Sequence, residues 1–298
     1  MTANNNNEMK RELERCQGAV EDRLGEYFTE NAKYATLLEA MRYSILGGGK
    51  RIRAVICIKF CEAAGGTMAD AIDAACAVEM LHAYSLIHDD LPCMDNDDMR
   101  RGKPSNHIKY GECTATLAGD ALQAAAFEVL LASKLPADAV VQMGLTLARA
   151  AGSRGMCGGQ YLDMLGEGKR LTTDELAEIH ELKTAALISA AARMGVLAAR
   201  GSDEQVKAAN DYARAVGLAF QARDDLLDLI STEAELGKPI GSDKESEKTT
   251  IASLLGADEC RRIIREETER AVAAIGGGIF KNAQFLVWFA QILEERSY

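Results

Sequence analysis

Apolar residues recur along most of the chain at intervals of three and four, the period of an amphipathic helix, and short turn-forming stretches cut the pattern into segments. The cuts fall at LGGGKR (46–51), AAGGTMAD (63–70), LLASKLPAD (130–138) and LGEGKRLTTDE (165–175), where Gly or Pro ends one helix and Ser, Thr or Asp opens the next. One start is fully specified. Thr172 and Glu175 have capping-box spacing and Leu171 and Leu176 sit as a hydrophobic staple, so a helix is expected from 173. Its inner stripe runs Leu176, Ile179, Lys183, Leu187, Ala190, Met194. A second stripe, Ala75, Val78, His82, Ser85, Asp89, puts His82 and Asp89 on one face two turns apart. No fixed-period repeat and no Pro- or Ser-rich linker divides the chain, which predicts one all-α domain over 1–298, a bundle of roughly ten helices.

Composition agrees: aromatic residues make up 5 % and there are four prolines, too little β-branched and aromatic patterning for a sheet protein. A formal net charge of −11 argues against a nucleic-acid binder and against docking on anionic lipid, leaving small molecules or a second copy of the chain as partners. The eight cysteines form no CxxC pair, and Cys57 with Cys61 on one helix face supplies only two ligands, so reduced thiols are expected rather than a disulfide frame or zinc site. The opening MTANNNNEMKRELER lacks the apolar core of a signal peptide, and no apolar run reaches membrane length; a soluble, cytoplasmic protein without stable membrane insertion is expected.

Charge then changes the picture. Five aspartates fall within 89–98, directly after the apolar LHAYSLI, and Arg100, Arg101 and Lys103 follow at once. Pro92 breaks the helix; Asp95 would point away from Asp89 unless a kink at 91–93 returns it. In FQARDDLLD (220–228), helical spacing gathers Gln221, Asp224, Asp225 and Asp228 toward one face, where like charges repel unless cations compensate. Two such carboxylate clusters suit Mg2+ that completes its octahedron with phosphate oxygens and water, so a diphosphate ligand is expected. Lys50 and Arg53 lie one turn apart after three glycines, where backbone NH groups also favour an anion. Lys183, inside an apolar stripe, must snorkel out, pair with a carboxylate or meet an anion.

GGGKRIR (47–53), DDLPCMD followed by RRGKP (89–104), KT (183–184), and FQARDDLLD followed by GKP and EKTT (220–250) resemble, in order and spacing, the motifs of the trans-isoprenyl diphosphate synthases. The likeness is closest to the bacterial farnesyl diphosphate synthases and runs from about residue 43 to residue 255. It implies the isoprenoid synthase fold, a helical bundle around a deep central cavity, as a homodimer. It assigns Asp89, Asp90, Asp95, Asp224, Asp225 and Asp228 to Mg2+, three ions per site, with Mn2+ as a substitute. Arg100, Lys183, Thr184, Gln221, Lys238 and Lys248 become contacts of the allylic diphosphate, with Lys183, Arg100 and Lys238 also catalytic. Lys50, Arg53, His82 and Arg101 become the pocket for the diphosphate of isopentenyl diphosphate. Ala54 stands where a proline often follows the first motif, Ala185 where a glycine often follows KT, and Glu247 where a second cation is common.

The implied reaction is head-to-tail condensation of isopentenyl diphosphate with dimethylallyl or geranyl diphosphate. The allylic diphosphate ionises, the π-bond of isopentenyl diphosphate attacks the cation, and a proton leaves to the released diphosphate. Tyr84 and Ser85, five and four positions before Asp89, are the candidate floor of the product cavity. The bulk of Tyr84 favours farnesyl diphosphate as product, with geranylgeranyl diphosphate as the alternative. A class I terpene cyclase would leave Lys50, Arg53, His82 and Arg101 without a role; a squalene-synthase type enzyme has different motifs; and a non-catalytic subunit of a prenyl synthase should have lost carboxylates from one cluster.

Overall fold

The computed structural model describes residues 3–230 and 249–295, so Lys238, Lys244, Lys248 and the side chain of Asp228 lie outside the described residues. In chain order the helices are α1 (Ala3–Gly25), α2 (Ala35–Ile45), α3 (Ile52–Ala63), α4 (Met68–Asp89), α5 (Asn106–Tyr110), α6 (Glu112–Leu131), α7 (Ala137–Ala151), α8 (Met156–Gly166) and α9 (Thr173–His180). A π-helical turn (Glu181–Ala185) joins α9 to α10 (Ala186–Ala198), and α11 (Asp203–Ile230), α12 (Ile251–Leu255), α13 (Ala257–Ala274) and α14 (Gln284–Glu295) follow. All four expected breaks separate helices, and α9 begins at 173: the Thr172 hydroxyl accepts from the Glu175 amide at 3.3 Å while the Glu175 carboxylate accepts from the Thr172 amide at 2.8 Å.

Two helices form the centre. From Val55 to Ile58, and from Ala74 to Leu81, every residue is buried and all but Glu79 are apolar, so these stretches of α3 and α4 are enclosed by neighbours rather than lying at the surface. Helix α4 packs on α6 and α3, α10 packs on α3, α11 and α7, and α11 lies along α13. Phe60 meets Tyr212 and Phe280 edge to face, with ring centroids 5.2 and 5.5 Å apart, and the Tyr212 hydroxyl donates to the Leu286 carbonyl at 2.7 Å, so its polar tip is satisfied at full burial. Each such large side chain contributes about 1.5–3 kcal/mol on burial.

One element was not legible in the periodicity. DMRRGKP folds as a two-stranded ribbon, β1 (Met99–Arg100) against β2 (Lys103–Pro104). Arg101 (φ 53°) and Gly102 (φ 73°) form the two-residue turn with positive φ at both positions, the geometry that matches strand twist. The ribbon is tied to α2 by a hydrogen bond from the Tyr43 hydroxyl to the Pro104 carbonyl at 2.8 Å, and α5, which follows it, by the Asn106 side-chain amide donating to the Ala40 carbonyl at 2.8 Å.

Candidate functional site

The first acidic motif ends α4. Beyond Pro92 the chain turns back on itself: the Asp95 amide donates to the Asp89 carbonyl at 2.9 Å and the Asn96 amide to the Leu91 carbonyl at 3.1 Å, with Asn96 at φ 53°. This bulge brings Asp95 back to Asp89. Asp90 goes elsewhere: it is buried, and it accepts from Arg100 Nε at 2.9 Å and also from Arg100 Nη2. Arg100 and Asp90 are thus first of all each other's partners. Burial raises the Asp89 carboxyl to about 6, against the pull of Lys183 and with a further push from Asp95.

The second motif stays inside α11, and the expected single face divides. Gln221 and Asp225, one turn apart, face inward: the Gln221 amide donates to Asp225 Oδ1 at 3.2 Å, and the Ile251 amide donates to Asp225 Oδ2 at 2.7 Å. Asp224 is exposed and lines a cleft with Lys50, Arg223 and Gln17.

The π-helical turn links the motifs. Lys183 pairs with Asp163 of α8 at 2.6 Å, the carboxylate option among its three, and Thr184 donates to Gln221 Oε1 at 3.1 Å. Gly159 of α8 is needed here, because a Cβ would collide with the Lys183 backbone. Ala185, in place of the frequent glycine, meets a glycine on the other side: a Cβ on Gly217 would lie 2.7 Å from the Ala185 Cβ.

Cations surround His82. Burial and then Arg53, Arg101, Arg51 and Arg100 hold its imidazole well below its ordinary value, so it is neutral at pH 7. Arg53 Nε is buried with no hydrogen-bond partner among the described residues. The GGGK loop approaches Arg101 so closely that a Cβ on Gly49 (φ 123°) would lie 2.7 Å from the guanidinium carbon, and Arg101 donates to the Gly48 carbonyl. Lys50 is not brought to this group; it is exposed, on the cleft shared with Asp224.

Sequence reasoning missed the anchor of that loop. Arg51 is buried at φ 50°, donates to Glu21 at 2.6 Å and to Glu79 at 3.4 Å, and Glu79 also accepts from the Ala54 amide at 3.2 Å. A proline at 54 has no such amide. Glu79 was visible as an acid among seven apolar neighbours of α4, Ala74 to Leu81. Asp163 and Gln160 were visible as polar residues one turn apart in GGQYLDM, and Gln160 Nε2 is buried without a partner among the described residues.

A cavity of about 530 Å³ joins these parts. Its wall includes Arg53, His82, Asp89, Lys183 and Thr184, and also Tyr84, Ser85, Cys157, Tyr161 and Met164. The Tyr84 hydroxyl lies 3.2 Å from Cys157 Sγ and its ring meets His88 edge to face at 5.6 Å, while the Ser85 hydroxyl donates to the His82 carbonyl at 2.9 Å. Asp89, raised by burial and by Asp95 beside it, is a hard oxygen donor of the kind that suits a divalent cation, but among the described residues no group of three or more Asp, Glu, His or Cys side chains is gathered closely enough to hold one.

Residues 34–275 match the family profile described as polyprenyl synthetase. The chain is 50% identical over 226 residues, 75% of each chain, to a geranylgeranyl diphosphate synthase of Cyanophora paradoxa. It is 47% identical over 245 residues, 78% of this chain and 68% of the relative, to geranylgeranyl pyrophosphate synthase 3, chloroplastic, of Arabidopsis thaliana. Among solved structures it is similar to an FPP/GFPP synthase from Zymomonas mobilis, with a TM-score of 0.84, 32% identity, and coverage of 98% of this chain and 99% of that one. It is also similar to a geranylgeranyl pyrophosphate synthetase from Pyrococcus horikoshii, with a TM-score of 0.87, 31% identity, and coverage of 97% and 98%. With an all-helical bundle, two aspartate motifs linked by the Lys183 turn and a family match over most of its length, the chain belongs to the polyprenyl synthetase family, the trans-isoprenyl diphosphate synthases.

Proposed function

We propose that the protein condenses isopentenyl diphosphate head-to-tail with an allylic prenyl diphosphate and extends the chain to geranylgeranyl diphosphate. The observation that carries the reaction is the cavity whose polar wall, Asp89, Lys183, Thr184, Arg53 and His82, continues into the apolar wall of Met164, Tyr161 and Tyr84. Geranylgeranyl length is supported by the curated relatives, which carry that product in their names. Farnesyl diphosphate is the second reading, supported by Tyr84: it is buried in the cavity wall five positions before Asp89, about 7.5 Å along the helix axis.

Two anion pockets divide the labour. Arg53, His82 and Arg101, with their excess of positive charge, hold the diphosphate of isopentenyl diphosphate without metal; Lys50 joins them only by a movement of its side chain from the Asp224 cleft. Lys183, Thr184, Gln221 and Arg100 face the allylic diphosphate, and Lys238 and Lys248 are carried over from the family pattern. Asp89, Asp95 and Asp224 would hold Mg2+, with Asp228 carried over from the family pattern; Asp90 and Asp225 fix the geometry of each motif from within. Bound Mg2+ supplies neutralisation of the diphosphate charge, which lets the allylic carbon–oxygen bond ionise. Lys183 turns from Asp163 to the departing diphosphate and stabilises its growing charge. Tyr84, Met164 and Tyr161 keep water from the allylic cation, which would otherwise become an alcohol.

Leu117 and Leu131 on α6 and Val141 and Leu145 on α7 are exposed apolar side chains, which supports a homodimer. The helical packing among the described residues supports one domain over 1–298, and eight free thiols support a reducing compartment, here taken as the cytoplasm. No described helix is long and apolar enough to cross a membrane.

The test is incubation with Mg2+, labelled isopentenyl diphosphate and dimethylallyl, geranyl or farnesyl diphosphate, then phosphatase treatment and chromatographic sizing. Geranylgeraniol as the main product is expected. Farnesol as the main product, lengthened in Tyr84→Ala, makes Tyr84 the floor and selects the second reading; no elongated product from any primer overturns the reaction itself.

A further inference from the structure

On the far side of the π-helical turn from the catalytic cavity, three helices converge with the same arrangement. Helix α7 presents Thr146 and Arg149, α10 presents Ser189 and Arg193, and α11 presents Asn210 and Arg214, each pair about one turn apart and all lining one cleft of about 170 Å³. Arg154, from the segment between α7 and α8, adds a fourth guanidinium. Glu181 is the single carboxylate among the lining residues and is engaged by Arg214 at 2.7 Å. Arg149, Arg154 and Arg193 have no ion-pair partner among the described residues. In a chain of net charge −11 such a concentration of cations is against composition.

Two further observations point to a ligand. Ser189 is 6% exposed, and its hydroxyl, on the wall of the cleft, has no hydrogen-bond partner among the described residues. A buried hydroxyl left unpaired costs free energy that a bound acceptor recovers. Burial and the nearby Arg149 also hold the Arg193 guanidinium below its ordinary value, so an anion between the two arginines would relieve both repulsion and desolvation.

We propose that this cleft is a second oxyanion site, taking a phosphate or diphosphate group between Arg149, Arg193 and Arg154, with Ser189 donating to it and Asn210 beside it. The site shares no residue with the catalytic cavity, yet the two meet at one turn: Glu181 and Leu182 line the cleft while Lys183 and Thr184 line the cavity. An anion that draws Arg214 from Glu181 therefore acts on the turn that bears Lys183. If the chain has the activity proposed above, free diphosphate and the head group of a prenyl product both have the required chemistry.

Calorimetry in the absence of divalent metal tests the site independently of turnover. Wild-type protein is titrated with inorganic diphosphate and, separately, with geranylgeranyl diphosphate, beside Arg149→Gln/Arg193→Gln and, for the catalytic pocket, Arg53→Gln/Arg101→Gln. The expected result is two classes of diphosphate site in the wild type, one weakened at least about tenfold in Arg149→Gln/Arg193→Gln and the other in Arg53→Gln/Arg101→Gln. Ser189→Ala should weaken the first class alone, which keeps the proposal testable if the double variant does not fold. Loss of the first class for inorganic diphosphate identifies the free anion as ligand; loss only for the prenyl diphosphate identifies its head group. Binding of both ligands by Arg149→Gln/Arg193→Gln and by Ser189→Ala with wild-type stoichiometry and affinity overturns the site, whatever the transferase assay gives.

Discussion

The acidic motif that ends α4 and the one inside α11 face the same difficulty, adjacent carboxylates that repel, and settle it with different neighbours. In both, the second aspartate of the pair turns inward to protein partners. Asp90 is neutralised by Arg100, ten residues on, through the small ribbon that follows it. Asp225 instead takes the amides of Gln221, within its own helix, and of Ile251, at the start of α12. The first motif is therefore a local, self-contained turn with a full counter-charge. The second takes amides from Gln221 and Ile251 and depends on how the chain returns at 249–251. The other aspartate of each pair, Asp89 and Asp224, lines an open cavity or cleft.

The largest expected effect tests that division of roles. Asp89→Ala and Asp224→Ala should each lower kcat by a factor on the order of a thousand, as lost stabilisation of charge at a reacting group does, with little change in stability. Steady-state rates near wild type at ordinary Mg2+ in either variant would contradict the assignment. Asp90→Ala should act mainly on the fold, costing about 3 kcal/mol because Arg100 loses its buried counter-charge, whereas Asp225→Ala should cost about 2 kcal/mol, the value of charge-assisted hydrogen bonds. Denaturant midpoints decide; equal and negligible losses in both would erase the contrast between the motifs.

Kinetics sharpen the comparison on the ligand side. Arg53→Ala or His82→Ala should raise KM for isopentenyl diphosphate about ten- to a hundredfold with a much smaller effect on the allylic substrate, while Lys183→Ala does the reverse and also lowers kcat. Identical shifts for both substrates from both sets would mean one pocket rather than two. The smallest effect is a pH dependence at the turn joining the motifs. Burial lowers the His180 imidazole to about 4, so the unfolded chain takes up a proton below its ordinary value of 6.5 before the folded one does, and stability falls as pH drops. Between pH 6.5 and 5.5 the loss should be about 1 kcal/mol, and His180→Gln should flatten it in urea titrations.

What could be read from the sequence follows a physical rule. Helix ends governed by adjacent residues were legible: Thr172 and Glu175 cap α9 as their spacing requires, and Pro92 was enough to anticipate that Asp95 returns only through a break. The grouping of Arg53 and Arg101 with His82 was legible only through the resemblance to the family's motifs. The partners of Asp90 and Asp225 were not, because which of two neighbouring carboxylates turns inward depends on Arg100 and Ile251 arriving from other elements. Arg51 looked like one more basic residue in GGGKRIR until Glu79 and Glu21 enclosed it. The π-helical turn at 181–185 was invisible too: one wide turn preserves an apolar stripe in sequence while rotating Lys183 out of it toward Asp163.

The ring of guanidinium groups about His82, set within a chain of net charge −11, has a kinetic consequence. At long range an approaching diphosphate meets net repulsion, and only within about a Debye length of the mouth does local attraction prevail. Moderate ionic strength therefore screens the first field more than the second: capture of substrate quickens with added salt over the range in which the inner contacts, shielded by burial, keep their hold.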